Sequence, residues 1–393
     1  MSRLNETPAR FPPASRRLPS GRVLATGPTG RARLLSARGT PPAEHADITA
    51  LAEDWIRAGR FNWAGPKTHV LVTAAKGPPM TPETAKAVVD FIFDTPTPRL
   101  TMEIVDAPDG WPAAWMALSY ARRMAEWNGR ELALWLRTNA EPAADRREFL
   151  DGYEVGVRGA LTADGPPPAR LWSASRWRVS VSPNAATPDA WVDRLRAAGA
   201  RGVEWVATPE VERDMSAARR FAAFASRALE CLIETGDGDI RDELTAALLC
   251  ARPWDIPGMD LLETLAYAPD GGIFSSEEAI SLDLASYENP LRLGRVSELR
   301  YADFPELSAV SALCAATMPQ SQPFCTACAY APYCAVPPSA HLRSQGSLFG
   351  RPPDSPRCLA HMALLDTIFS RLPSEKYMKI LEKWGVDITR FAC

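Results

Sequence analysis

The sequence predicts an α/β fold: a partial (β/α)6 barrel with a cysteine-bearing C-terminal domain and a small N-terminal β/α unit. Three observations predict it. Strand-like and helix-like segments alternate from residue 67 onward, as they do in a mostly parallel sheet covered by helices. That alternation stops near residue 255, where turns take over. All eight cysteines (Cys231, Cys250, Cys314, Cys325, Cys328, Cys334, Cys358 and Cys393) lie after residue 230 of a 393-residue chain.

Taken in order, residues 1–20 are polar and rich in Pro and Arg, too poor in apolar side chains to bury a core, and are expected to be disordered. Two short strand patterns at 21–25 and 32–35 and a helix near 48–58 make up a β/α unit over 21–66. The barrel is expected over 67–250. It opens with a buried strand at 68–73. A helix follows, with Thr81 as N-cap and Pro82 in its first turn, and Ala85, Val88, Val89, Ile92 and Phe93 share one face at helical spacing. Then come strand 100–105, helix 112–128, strand 131–136, helix 143–160, a Pro-rich loop at 165–168, strand 178–181, helix 188–198, strand 202–207 and a long helix over 210–235. The cysteine domain is expected over 251–372 and a helix with a tail over 373–393. In that last helix Tyr377, Ile380, Leu381 and Trp384 share a face suited to packing on the cysteine domain or on another subunit.

Composition excludes several classes. The formal net charge is −3, from 44 basic and 47 acidic residues, so there is no electrostatic footprint for nucleic acid. No apolar run reaches transmembrane length and the N-terminus lacks the apolar core of a signal peptide, so a cytoplasmic protein is the expectation. In that setting clustered cysteines argue for metal over disulfides.

Cys325 and Cys328 form a Cys-x2-Cys pair, Cys334 follows after five intervening residues, and Cys358 returns 24 positions after Cys334. One compact loop can therefore present three thiolates to a centre that the fourth closes from a distance. Phe324, Tyr330, Pro332 and Tyr333 surround the first three and would limit solvent access. The spacing alone admits a [4Fe–4S] cluster, structural tetrahedral zinc or unliganded buried thiols. His361, three positions after Cys358, leaves a mixed Cys/His zinc site open.

The stretch 325–334 resembles the C-terminal SPASM domain of radical SAM peptide maturases. Residues 345–352, followed by Arg357 and Cys358, look like the maturase of His-Xaa-Ser peptide systems. Residues 267–279 and 291–296 are similar to the turn and hairpin that open that domain, and 80–93 looks like the first barrel helix. The resemblance spans most of 67–372 and is most specific in its last hundred residues. It implies that Cys325, Cys328, Cys334 and Cys358 hold one auxiliary [4Fe–4S] cluster rather than Zn2+. A second auxiliary cluster looks lost, with Ser276, Pro337 and Pro338 at cysteine positions; Cys314 alone cannot hold one.

The sequence departs from that family where the radical is made. The family needs CxxxCxxC after the first strand, but this chain has no cysteine before Cys231 and only a short loop, 74–80. The Gly-Gly-Glu-Pro segment that holds the methionine amine corresponds to 106–110 here. Coordinated loss of loop, ligands and amine-binder implies that no S-adenosylmethionine is used and no catalytic residue is assigned. Asp106 and Asp109 are either the rim of a remnant pocket or a solvated turn. His69 reads as a core residue, and Trp111, Trp115 and Trp127 as core or interface. Together these readings predict a SAM-cleavage-deficient iron–sulfur partner or scaffold in ribosomal-peptide maturation. It would bind a precursor peptide, an active radical SAM maturase, or both. A SAM-independent redox enzyme acting on a peptide and a zinc-stapled interaction protein are the alternatives.

Overall fold

The computed structural model describes residues 14–20, 22–26, 32–35, 66–250 apart from 76 and 237, 264–282, 289–310 apart from 308, 313, 316, 325–334 and 338–392 apart from 349. The expected helix at 48–58, Phe324, Pro337 and the side chains of Cys250, Cys314 and Cys393 lie outside the described residues.

A small sheet comes first. β1 (Ala14–Arg17), β2 (Val23–Thr26) and β3 (Ala32–Leu35) pair antiparallel. The chain's last strand, Phe391–Ala392, joins β3 in parallel. Part of the stretch expected to be disordered is thus drawn into a sheet. Its Leu18 and Leu24 sink into a core shared with the last helices.

The main sheet contains six successive parallel strands: β4 (Thr68–Val72), β5 (Arg99–Val105), β6 (Glu131–Thr138), β7 (Val155–Ala163), β8 (Arg176–Val181) and β9 (Gly202–Ala207). The short β10 (Arg241–Asp242) extends the β9 edge. Beyond β4 the sheet continues through β11 (Thr264–Tyr267), which is parallel to β4. The antiparallel β12 (Gly272–Phe274) and β13 (Arg292–Arg295) follow. The sheet is open, as a partial barrel requires.

The helices described up to residue 282 are α1 (Pro82–Phe93), α2 (Trp111–Asn128), α3 (Ala144–Gly152), α4 (Pro188–Ala197) and α5 (Met215–Gly236), then α6 (Glu243–Cys250) and the short α7 (Glu277–Ile280). The C-terminal helices are α8 (Pro338–Gln345), α9 (Pro356–Arg371) and α10 (Glu375–Lys383). α1 starts as its sequence dictates, with the Thr81 hydroxyl accepting the Thr84 amide. α10 is capped by Ser374 and buries Tyr377, Ile380, Leu381 and Trp384. Its face packs on this chain's own core, and the Trp384 indole donates to the Gly238 carbonyl.

One expected element is wrong. The helix predicted over 143–160 ends at Gly152, and Val155–Ala163 is β7. Glu154 turns the chain with φ +53. Gly156 and Gly159 then bring the β7 backbone against Trp135 and Trp177, leaving no room for a Cβ at either position. Apolar residues of a helix-like segment were available to both structures; contact with the neighbouring strands selects the strand.

Candidate functional site

Among the described residues, two regions gather several charged groups or thiols at buried positions. The first is the interior of the barrel. Strand register sets one face of each strand inward, and on it stand Glu103 (β5), Trp135 and Arg137 (β6), Arg158 (β7), Arg178 (β8) and Glu204 (β9). The opposite face carries Met102, Ile104, Leu134, Leu136, Trp177, Val179, Val203 and Trp205, all buried beneath the helices. Period 2 therefore separates an apolar outer layer from a charged lumen.

The lumen charges neutralise one another. Arg137 lies 3.3 Å from Glu103 and 2.5 Å from Glu277 of α7. Arg158 reaches Glu103 at 3.3 Å and Glu204 at 3.6 Å. Arg178 reaches Glu204 at 3.5 Å and Glu278 at 3.6 Å. Burial would raise the Glu204 carboxyl, but Arg178, Arg158 and Arg137 outweigh it and hold it below its ordinary value. Trp135 fills the space beneath, with Arg176 and Arg158 over its ring at 4.7 and 5.5 Å.

Above this layer, at the C-terminal ends of the strands, lies a cavity of about 850 Å³. Thr162, Ser180 and Val206 line it from the strands, Thr208 from just after β9, and Glu277 and Glu278 from α7. Its far wall is Glu212, just after β9, with Arg343 of α8 and Arg357 of α9 both paired to that one carboxylate. Sequence reasoning missed this network. The signal was the alternation Arg176-Trp177-Arg178-Val179-Ser180-Val181, since a parallel strand buried on both faces is normally apolar throughout.

The family resemblance implies S-adenosylmethionine and its cluster at this mouth, and the residues present do not fit them. The loop after β4 closes on itself: the Met80 amide donates to the Thr73 carbonyl (2.7 Å) and the Thr73 hydroxyl to the Val105 carbonyl (2.9 Å). Gly110 presses on Thr73 so closely that a Cβ would lie 2.1 Å from its hydroxyl. The loop carries no thiol. Asp106 is turned to Arg146 (3.5 Å), and burial raises its carboxyl. Neither it nor the exposed Asp109 lines the cavity. His69 is fully buried against the Tyr267 hydroxyl (2.9 Å), as a core residue. Trp127, by contrast, is 86% exposed and so is no part of the core.

The second region is the cysteine segment. Cys325 opens a 3-10 turn, Cys325–Ala327, and the Cys328 amide returns to the Cys325 carbonyl (3.0 Å). A second such turn, Ala331–Tyr333, leads to Cys334. Cys358 sits in the first turn of α9, where its amide donates to the capping Ser355 hydroxyl (3.1 Å). Tyr330 and Tyr333 are buried against Phe369, with ring centroids 5.7 and 4.9 Å away, so the aromatic residues anchor the loop to α9. Arg16 of β1 donates twice to Asp366 (2.8 Å each) and lies over the Tyr330 ring, tying the N-terminal sheet to the same place.

The four thiols share one neighbourhood. Burial pushes Cys325 up to about 12, with Cys358 and Cys328 adding to it. Cys358 is pushed up to about 11 by burial and Cys328, against Arg16. Cys334 is held well above its ordinary value by burial, Cys358 and Cys328, against Arg357. Such mutual opposition is what four thiols experience until a cation stabilises their thiolates. Among the described residues no three His, Cys, Asp or Glu side chains are drawn together tightly enough to ligate an ion. The donors suit a tetrathiolate metal centre in type and lie in one neighbourhood, and closing them onto one point is the step a metal would supply. His361 is buried and burial lowers it to about 3, with its Nδ1 lacking a hydrogen-bond partner.

The fold is a radical SAM-like α/β fold. Among solved structures, native anSMEcpe with bound AdoMet superposes with a TM-score of 0.59 at 10% identity, covering 80% of this chain and 99% of that one. Native anSMEcpe with bound AdoMet and Cp18Cys peptide gives 0.58 at 10% identity, covering 81% and 99%. At that identity the likeness is one of fold. No protein-family model matches the chain, and no curated protein does. No described helix is long and apolar enough to cross a membrane.

Proposed function

We propose that this chain is a SAM-cleavage-deficient member of the radical SAM/SPASM fold that serves as a metal-bearing partner or scaffold in peptide maturation. It binds a precursor peptide, an active maturase, or both. The observation that carries this reading is the barrel mouth. The first-strand loop is closed and thiol-free, and the lumen is filled by self-neutralising Arg and Glu side chains, while the cavity above them is retained. A cavity of this size, walled by both charges and by hydroxyls, suits a polar peptide segment. Peptide binding is also supported by the fold's neighbour, which was crystallised with a peptide. Cys325, Cys328, Cys334 and Cys358 would hold the metal, read as one [4Fe–4S] cluster with Zn2+ as the alternative. Bound there, the metal would supply a structural staple, with electron transfer added in the cluster case. Serving a maturase as partner is an inference from the retained fold and lost radical site.

The test is anaerobic purification with iron, sulfide and zinc analysis, followed by incubation with S-adenosylmethionine and a strong reductant. The expected result is no 5′-deoxyadenosine, with or without a cognate maturase and peptide, and co-elution with that maturase or its peptide. Any 5′-deoxyadenosine formed by this chain alone would overturn the reading. Zinc at about one per chain, without visible absorbance, would replace the cluster by the zinc staple.

A further inference from the structure

The arginines of the cavity are not held alike. Arg137 donates a 2.5 Å hydrogen bond to Glu277, Arg343 hydrogen-bonds Glu212, and Arg292 donates to Asp270 at 2.7 Å. The Arg178 side chain reaches carboxylates only as ion pairs, at 3.5 Å to Glu204 and 3.6 Å to Glu278, and makes no hydrogen bond to the described residues. Its nitrogens are not sealed from the cavity: the side chain retains 18% exposure, and Arg178 and Ser180 both line the cavity from one face of β8. Burial opposes its charge, but Glu204, Glu277 and Glu278 outweigh it and keep the guanidinium charged.

Its two partners differ as well. Glu204 is fixed in a strand and shared with Arg158. Glu278 is 41% exposed and sits on a four-residue helix. Glu277, its neighbour on that helix, is clamped to Arg137. A guanidinium with unused donors, facing a loosely placed and displaceable carboxylate, is arranged to receive a carboxylate from outside.

We propose that Arg178 anchors a carboxylate of a bound peptide in this cavity, and that Glu278 holds that place when the cavity is empty. The ligand class is a peptide bearing an acidic side chain or a free C-terminus. This deepens the peptide-binding reading above and rests on it.

The test is calorimetric titration of the full, metal-loaded chain with three octapeptide probes of Gly and Ser. One carries a central Glu and an amidated C-terminus, one has Gln in place of Glu, and one has Gln with a free C-terminal carboxylate. At least one charged probe is expected to bind roughly tenfold tighter than the amidated Gln probe, the scale of a charge-assisted hydrogen bond. Which one it is distinguishes side chain from C-terminus. Glu278→Gln is expected to tighten the charged probe several-fold, and Arg178→Lys to weaken it. If Arg178→Lys does not fold, Glu278→Gln still decides, because removing a merely structural ion pair would not raise affinity. Equal binding of all three probes, no saturable binding of any, or no gain in Glu278→Gln overturns the proposal. Charged-probe binding without a maturase complex would overturn only the partner reading; a complex with equal probe binding would overturn only this one.

Discussion

The barrel lumen and the cysteine segment solve the same problem in opposite ways. Both place groups in the interior that are costly to charge there. In the lumen each carboxylate has a guanidinium within reach, so the charges compensate one another with side chains alone. In the cysteine segment the thiols only oppose one another, and Arg16 and Arg357 compensate in part. A self-neutralised interior needs no cofactor to be stable. Mutually opposed thiols stay protonated, and a bound cation would stabilise their thiolates instead. The contrast teaches that within one fold one set of buried ionisable groups can be compensated by side chains while another is compensated only in part.

The largest expected effect comes from breaking the cysteine side. Cys358→Ser, or chelation, should remove the metal and cost several kcal/mol, the scale on which structural metal binding is coupled to folding. Hydrogen exchange should rise over 338–357, which carries the cavity-wall residues Arg343 and Arg357 between two of the ligands, and stay unchanged over β4–β6. A chain that holds no metal as purified, and whose exchange is the same in Cys358→Ser, would show that the thiols need no cation.

The lumen side breaks next. Glu204→Ala leaves Arg158 and Arg178 without their shared carboxylate. Removing one member of a buried network is expected to cost about 3–5 kcal/mol in urea unfolding, without loss of metal. A cost below about 1 kcal/mol, the size of a surface pair, would mean that water already screens the lumen.

A smaller effect tests the lumen's floor. Gly156→Ala puts a Cβ 2.5 Å from the Trp135 ring, and overpacking of this kind should cost roughly 1–3 kcal/mol. An unchanged urea midpoint would show that the indole moves aside freely.

The smallest concerns pH. Burial lowers His69 to about 3, below the ordinary histidine value of 6.5. The folded state therefore disfavours its proton, so the contribution is full above pH 6.5 and declines as pH falls through 6.5 toward 3. The slope is about 1.4 kcal/mol per pH unit below 6.5. His69→Phe should flatten the stability curve between pH 6.5 and 5, after allowance for the other groups. The same slope in the variant would place its origin elsewhere, with the buried His361 the first alternative.

Much of this was legible before the structure. The strand–helix alternation led to five of the six parallel strands, Thr81 and Pro82 to the start of α1, and the α10 stripe to its buried face. The Cys325–Cys334 spacing led to the compact thiol loop. These are encoded within a few residues by periodicity, capping and turn chemistry, so the sequence by itself determined them. Only the tertiary structure decided that 155–163 is a strand, because Gly156 and Gly159 take their meaning from Trp135 and Trp177 on neighbouring strands. It alone decided that Arg16 reaches Asp366, 350 residues away, that Phe391–Ala392 completes the first sheet, and that Glu103, Arg137, Arg158, Arg178 and Glu204 face one another. Each depends on register and closure across distant segments, where the free energy comes from partners that no local pattern names.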